Sequence, residues 1–326
     1  MTAVPPTSPP TSAEPRVAVI VPAYNEQRLI TSTLRTLDPQ RFDTVLERQL
    51  LSGFRVIVID NSSTDATAEV VEKFIAEGTR RPFELITETQ KGLGSAVDTG
   101  VRHAIDTGAV FVARTDSDSV PDPTWLHELL QPLLAGRRLV GGRLRARHDE
   151  PYSPVPYDLL GLLWRVGHLQ QKWRTRHEPP YAQRTFGVVG PNCAFDTEVY
   201  LAAGGYPRLP LVQVSEDWEL QQRVRKVAPK SAVALAPRAI VRTSQRRVRH
   251  LGTRGNSAWY AEFPPGRTSR PRGVDGSGDR HPLRHDAGAR PHVMPCACEP
   301  GMETRSTNSL ITETVSDRTA SMIFSA

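Results

Sequence analysis

The run VAVIVPAYNE, Val17 to Glu26, decides how the chain is read. Its first five residues are apolar and mostly β-branched, which suits a strand buried on both faces. A polar and acidic end follows at once. The same arrangement recurs downstream in RVIVID (Arg55 to Asp60), FELIT (Phe83 to Thr87) and AVFVART (Ala109 to Thr115). Helical spacing fills the gaps, over Arg28 to Leu37, Ala66 to Glu77 and Ser95 to Thr107. Strands without a polar face, alternating with helices, form a mainly parallel sheet covered on both sides. The fold class is therefore α/β, with a Rossmann-like, mainly parallel central sheet flanked by helices. Ligands of such sheets bind beyond the carboxyl ends of the strands.

The pattern loosens after that. Pro123 to Leu134 reads as a helix and LVGGRLRAR (Leu139 to Arg147) as a strand. Tyr157 to Arg176 reads as a basic amphipathic helix, with Leu159, Leu160, Leu163 and Trp164 on one side. A helix of this kind suits an anionic lipid surface or packing on the sheet, and the second is the expectation. Asp196 to Ala203 and Glu216 to Val227 read as further helices. SAVALA and AIVRT, within Ser231 to Thr243, read as two short strands.

Composition bounds the rest. Of 326 residues, 38% are hydrophobic, and 23 Gly and 28 Pro are present, so part of the chain is expected outside a packed core. Residues 1–15 are rich in Pro, Ser and Thr and read as a disordered leader. Asn256 to Ala326 holds only nine Leu, Ile, Val and Phe in 71 residues and reads as a disordered or aberrant tail. A folded unit over 16–255 remains, read as a first half at 16–120 and a second at 121–255. No apolar run of about 18 residues suggests a transmembrane span. The N-terminus lacks the pattern of a secretory signal. Cys193, Cys296 and Cys298 do not suit a disulfide framework or a zinc site. A cytoplasmic location is expected, with the inner membrane face as a peripheral option.

The net charge is +6, all of it in the first 255 residues, because the tail balances eight Arg against eight acidic residues. That excess suits an anionic small molecule or an anionic membrane surface. No basic stripe with stacking aromatics appears, so nucleic acid is not an expected partner.

Chemistry gathers at the strand ends. Strand one ends in VPAYNE, with Pro22, Ala23, Tyr24 and Glu26 at the sheet edge. Strand two ends in DNSSTD. Asp65 or Thr64 there suits a helix N-cap, whereas Asp60 sits at the mouth of the sheet, outside capping geometry, and reads as a ligand-binding carboxylate. Lys91, followed by Gly92 and Gly94 at a helix start, reads as an anion site or a simple turn. Strand four ends in DSDS. Asp116 and Asp118, two residues apart, need a cation or hydrogen bonds to compensate them. With a nucleoside diphosphate they would form a hard oxygen site for Mg2+ or Mn2+. In SEDWEL, Glu216 and Asp217 open a helix, as dipole partners or as a general base.

VPAYNE, DNSSTD, KGLG, DSD and SEDWE, in this order and at these spacings, resemble family 2 glycosyltransferases of the GT-A fold, over about Arg16 to Leu251. The resemblance implies that Ala23, Tyr24, Glu26 and Asp60 hold the nucleoside. It implies that Asp116 and Asp118 bind the ribose and the metal-bridged diphosphate. Asp217 is the implied catalytic base, with Glu216 beside it. TSQRR looks like the family's late basic motif and brings Arg246 and Arg247 to the donor side. GPN, Gly190, Pro191 and Asn192, resembles the segment lining the acceptor pocket. The implied reaction is metal-dependent transfer, with inversion, from a nucleotide-diphospho-sugar donor to a hydroxyl of a lipid, glycan or small molecule.

Two other readings stand beside it. A sugar-phosphate nucleotidyltransferase would carry a Gly-rich basic loop after strand one, and VPAYNEQRL has no glycine. A paralogue that binds nucleotide sugar without turnover would suit the departure after TSQRRVRHLG, where similar enzymes continue into further helices.

Overall fold

β1 (Val17–Ala23) is buried along its whole length, and its residues alternate between two cores. Val17, Val19 and Val21 join Leu34, Leu37 and Trp125 on one side. Ala18 and Ile20 join Val97, Val101 and Phe195 on the other. That period of two, with both faces apolar, is why the run reads as a central strand. The structure is a computed structural model and describes residues 16–43, 53–178, 188–208 and 216–246.

β2 (Phe54–Asp60) and β3 (Phe83–Thr87) extend the sheet on one side of β1, and β4 (Phe111–Arg114) lies on the other, all parallel. Beyond β4 the sheet mixes. β7 (Cys193–Asp196) runs antiparallel to β4 and to β6 (Leu139–Ala146). β8 (Val233–Thr243) is parallel to β6, and β5 (Val120–Pro121) closes the edge antiparallel to it. The order is β3-β2-β1-β4-β7-β6-β8-β5, one sheet that crosses both expected halves.

The described helices are α1 (Ile30–Leu37), α2 (Thr67–Ala76), α3 (Leu93–Asp106), α4 (Trp125–Leu134), α5 (Val155–Arg174), α6 (Thr197–Ala202) and α7 (Glu216–Val227). Helices cover both faces of the sheet, as expected. None is long and apolar enough to cross a membrane. Residues 1–15, Arg247 and the 256–326 tail with Cys296 and Cys298 lie outside the described residues.

Several expectations change. The two short strands after Ser231 are one strand. Its register with β6 slips between Gly141 and Arg143, so Ala236 to Ala239 have no partners in the register. Pro237, which has no N–H to donate, falls in that gap, and the two expected strands are the paired halves on either side. β7 was not foreseen, because four residues after a Pro turn carry no readable period. Asp65 is not the N-cap of α2; Ala66 holds that position. Asp65 still accepts from the Thr67 N–H at 3.0 Å and from its hydroxyl.

On α5, which lies against β6, Leu159 is 53% exposed and shares an exposed stripe with Val155, Leu162, Val166, Leu169 and Trp173; Leu160, Leu163 and Trp164, expected on the same side as Leu159, lie outside the described side chains. The described tether is polar: Asp158 accepts from Arg145 Nη1 at 2.8 Å and from the Ala146 N–H at 3.2 Å.

Candidate functional site

The carboxyl ends of β1, β2 and β4 deliver their polar tails to one edge of the sheet. At β1, Pro22 lies within the strand opposite Ile59, and Ala23 and Tyr24 are buried behind it. Asn25 adopts φ 55°, a backbone state that Asn tolerates, and its side chain accepts from the Thr64 N–H at 2.8 Å. This turns the chain so that Glu26 points inward and is buried.

At β2, Asp60 is buried, and Oδ2 accepts from the Ser63 N–H at 3.3 Å. It therefore has a turn contact that its position in the sequence did not suggest. Oδ1 is buried without a hydrogen bond. Asn61, which the sequence reading passed over, joins three segments. Its amide donates to the Glu88 and Gln90 carbonyls, both at 2.9 Å, and accepts from the Gly92 N–H at 2.8 Å.

The start of α3 is packed more tightly than an open anion cradle requires. A Cβ on Gly94 would lie 2.2 Å from the Pro207 carbonyl oxygen, so glycine is needed for that approach. Lys91 Nζ stands 5.4 Å from the centroid of the Tyr24 ring.

The DSDS turn after β4 is buried throughout. Thr33 Oγ1 donates to the Ser117 carbonyl at 2.8 Å, and Arg147 Nη1 to the Asp118 carbonyl at 2.9 Å. Asp118 Oδ1 accepts from Ser119 at 3.1 Å, and Oδ2 from Arg246 Nη2 at 3.2 Å. The same Nη2 donates to Glu26 Oε1 at 2.6 Å. Glu26, Asp118 and Arg246, 220 residues apart at the extremes, therefore meet at one point. Burial pushes the Asp118 carboxyl upward against the pull of Arg246.

Asp116 is held by a different arginine. Oδ1 accepts from Arg114 Nη2 at 3.2 Å, and Oδ2 is buried without a hydrogen bond. Burial pushes this carboxyl up to about 7; Arg114 opposes the shift, and Asp118 and Asp217 add to it. Arg114 is itself fully buried. Its Nη1 donates to Asp217 Oδ1 at 2.9 Å, and its guanidinium lies 5.7 Å from the centroid of the Tyr206 ring. The sequence reading assigned Arg114 only to a strand. The available signal was an arginine in an otherwise apolar run, directly before TDSD.

Asp217 is held on both oxygens, since Oδ2 accepts from the Gly190 N–H at 2.7 Å. Its side chain keeps 23% exposure, so it remains open to a small partner. Glu216 is buried beside it. Burial pushes the Glu216 carboxyl up to about 7, with the Asp217 charge adding to the shift. A Cβ on Gly190 would lie 2.6 Å from Asp217 Oδ1 and from the Arg114 guanidinium carbon. Of the GPN trio, Gly190 touches the site. Pro191 is buried, and Asn192 is committed elsewhere. Asn192 Oδ1 accepts from Trp125 Nε1 at 2.8 Å, and Nδ2 donates to the Arg143 and Ala239 carbonyls at 3.0 and 2.9 Å.

Cys193 is not a candidate nucleophile, because burial pushes its thiol up to about 12. Among the described residues, no group of three or more His, Cys, Asp or Glu is placed to hold a metal. Two aspartates with one orphaned carboxylate oxygen offer part of an oxygen shell. That fits a hard cation which takes its other oxygens from a bound diphosphate.

Residues 18–201 match the model of the family described as Glycosyl transferase family 2. An uncharacterized glycosyltransferase of Mycobacterium tuberculosis (strain ATCC 25618 / H37Rv) is 31% identical over 206 residues, covering 61% of this chain and 78% of that protein. The UDP-N-acetylglucosamine--dolichyl-phosphate N-acetylglucosaminyltransferase of Methanococcus voltae is 23% identical over 170 residues, 48% of this chain and 61% of the relative. A mannosyltransferase of Pyrobaculum calidifontis, solved in complex with GDP-Man and Mn2+, is similar in fold. Its TM-score is 0.50 at 22% identity, covering 76% of this chain and 65% of the other.

Proposed function

The chain belongs to glycosyl transferase family 2 and is a glycosyltransferase of the GT-A fold, and on that premise we propose that it moves a sugar from a nucleoside diphosphate to an acceptor hydroxyl with inversion. The observation that carries this reading is the line Asp116–Arg114–Asp217, in which one buried guanidinium holds both carboxylates; we assign Asp116 to the donor side and Asp217 to the acceptor side.

Asp60 and Glu26 line the nucleoside side at the ends of β1 and β2. Asp116 and Asp118 would hold a divalent cation, Mg2+ or Mn2+, which would neutralise charge on the diphosphate. Lys91 and Arg246 add positive charge at the rim; Arg247 is proposed with them from its sequence position. Asp217, oriented by Arg114 and Gly190, takes the proton of the acceptor hydroxyl. The hydroxyl oxygen attacks the anomeric carbon from the face opposite the diphosphate. The bond from that carbon to the phosphate oxygen breaks, and its electron pair leaves with the diphosphate. Glu216, buried at the start of the same helix, is assigned a supporting role.

Calorimetry of the full chain with UDP, GDP, dTDP and CDP, each with Mn2+ or with EDTA, tests the donor reading. At least one should bind with Mn2+ and lose affinity in EDTA. Failure of all four would overturn it.

A further inference from the structure

We propose that α5 is a docking surface for an anionic lipid bilayer, and that the helix lies flat on that surface. The inference does not rest on the transferase reading, because it concerns a face outside the site.

Six large apolar residues of α5 are between 53% and 66% exposed: Val155, Leu159, Leu162, Val166, Leu169 and Trp173. Their spacing alternates four and three residues, which places them along one side of the helix for most of its 20 residues. That is an apolar stripe about 27 Å long at the usual rise. A single exposed leucine needs no explanation, but a continuous stripe of this length does.

Charge selects the occupant. The same 4-3 spacing would suit a second copy of the helix. However, Tyr157 to Arg176 carries Arg165, Lys172, Arg174 and Arg176 against the single acid Asp158. Asp158 is already paired with Arg145 at 2.8 Å. Two copies would bring like charges together, whereas anionic headgroups neutralise them. Trp173 adds an amphipathic ring, with the Arg176 guanidinium 4.4 Å from its centroid, a pairing suited to the boundary between acyl chains and headgroups. The helix is not apolar enough to cross the bilayer, so a surface orientation remains. Its first turn is bonded to Ala146, the neighbour of Arg147, and Arg147 donates to the Asp118 carbonyl. Docking would therefore set the donor site beside the membrane.

The test is co-sedimentation of the full chain with phosphatidylcholine vesicles, with and without about a third phosphatidylglycerol. The chain should pellet with the anionic vesicles only, and less so as salt rises. The double substitution Leu162→Glu, Val166→Glu should weaken pelleting by about tenfold or more. Thermal unfolding and nucleoside-diphosphate affinity should not change, which separates this result from a failure of the transferase reading. Arg174→Gln with Arg176→Gln should reduce the preference for anionic vesicles while leaving the apolar stripe intact. Absence of pelleting, equal pelleting of the Glu variant, or a lipid-free dimer that the Glu variant dissociates would each overturn the proposal.

Discussion

Arg114 Nη1 donates to Asp217 Oδ1 at 2.9 Å, across 103 residues of chain. The other nitrogen of the same fork, Nη2, holds Asp116. One buried cation therefore balances carboxylates from two different parts of the sequence. Replacing it should be costly in a way that depends on pH. Arg114→Met leaves Asp116 and Asp217 without their cation, and an uncompensated buried charge costs about 3–5 kcal/mol. The loss should be largest near pH 8 and smaller near pH 5, where the buried Asp116 carboxyl holds a proton instead. Urea unfolding at both pH values measures it. An equal loss at the two values would mean that Arg114 acts by packing alone.

Asp217→Asn tests the base. An amide offers one acceptor oxygen, yet both Arg114 and the Gly190 N–H need one. The substitution should therefore lower stability by about 1–3 kcal/mol as well as removing the proton acceptor. Turnover at saturating donor should fall by roughly 10²–10⁴. Glu216→Gln should cost less, because Glu216 is buried whereas Asp217 keeps 23% exposure. An inactive Glu216→Gln with an active Asp217→Asn would reverse the two roles.

Much of this was legible in the sequence, for one physical reason. Fully buried parallel strands need continuous apolar runs, so Val17 to Val21 and Arg55 to Asp60 declared themselves, and the acidic residues directly after them could only lie at the strand ends. Residues whose meaning depends on long-range pairing stayed hidden. Arg114 and Asn61 look ordinary until the chain closes and brings their partners within reach. The exposure of α5 was also invisible, since a periodic apolar stripe reads the same whether it faces a sheet or solvent.

Asn192 is expected to matter for stability rather than for acceptor binding. It is fully buried and makes three hydrogen bonds that tie α4, β6 and β8 together. Asn192→Ala should strand the Trp125 N–H and two carbonyls and cost about 2–4 kcal/mol. The urea midpoint reports this. A drop in acceptor affinity at unchanged midpoint would place Asn192 in the pocket instead.

Gly94→Ala should damage the join between α3 and the segment before α7. The added methyl would sit 2.2 Å from a backbone oxygen, which cannot rotate away as a side chain would. The expected cost is about 1–3 kcal/mol, with weaker donor binding because the displaced helix carries Lys91 at its start. Thermal unfolding and calorimetry read the two effects. A variant of unchanged stability would show that Pro207 yields freely.

The last prediction concerns pH. Burial pushes both Asp116 and Glu216 up to about 7 from ordinary values of 3.8 and 4.5. Each therefore holds its proton more tightly in the fold than in the unfolded chain. Their contribution to stability is complete below the unfolded values and is lost as pH rises through about 7. The wild type should become less stable between about pH 5 and pH 8.5 on account of these two groups. Glu216→Gln removes one titration while keeping the shape. Relative to wild type, this variant should gain up to about 2–3 kcal/mol on going from acid to alkaline conditions. Urea unfolding of both proteins across that range decides the point. Parallel profiles would mean that Glu216 keeps an ordinary proton affinity in the fold, and the buried carboxyl beside Asp217 would then be ionised at neutral pH.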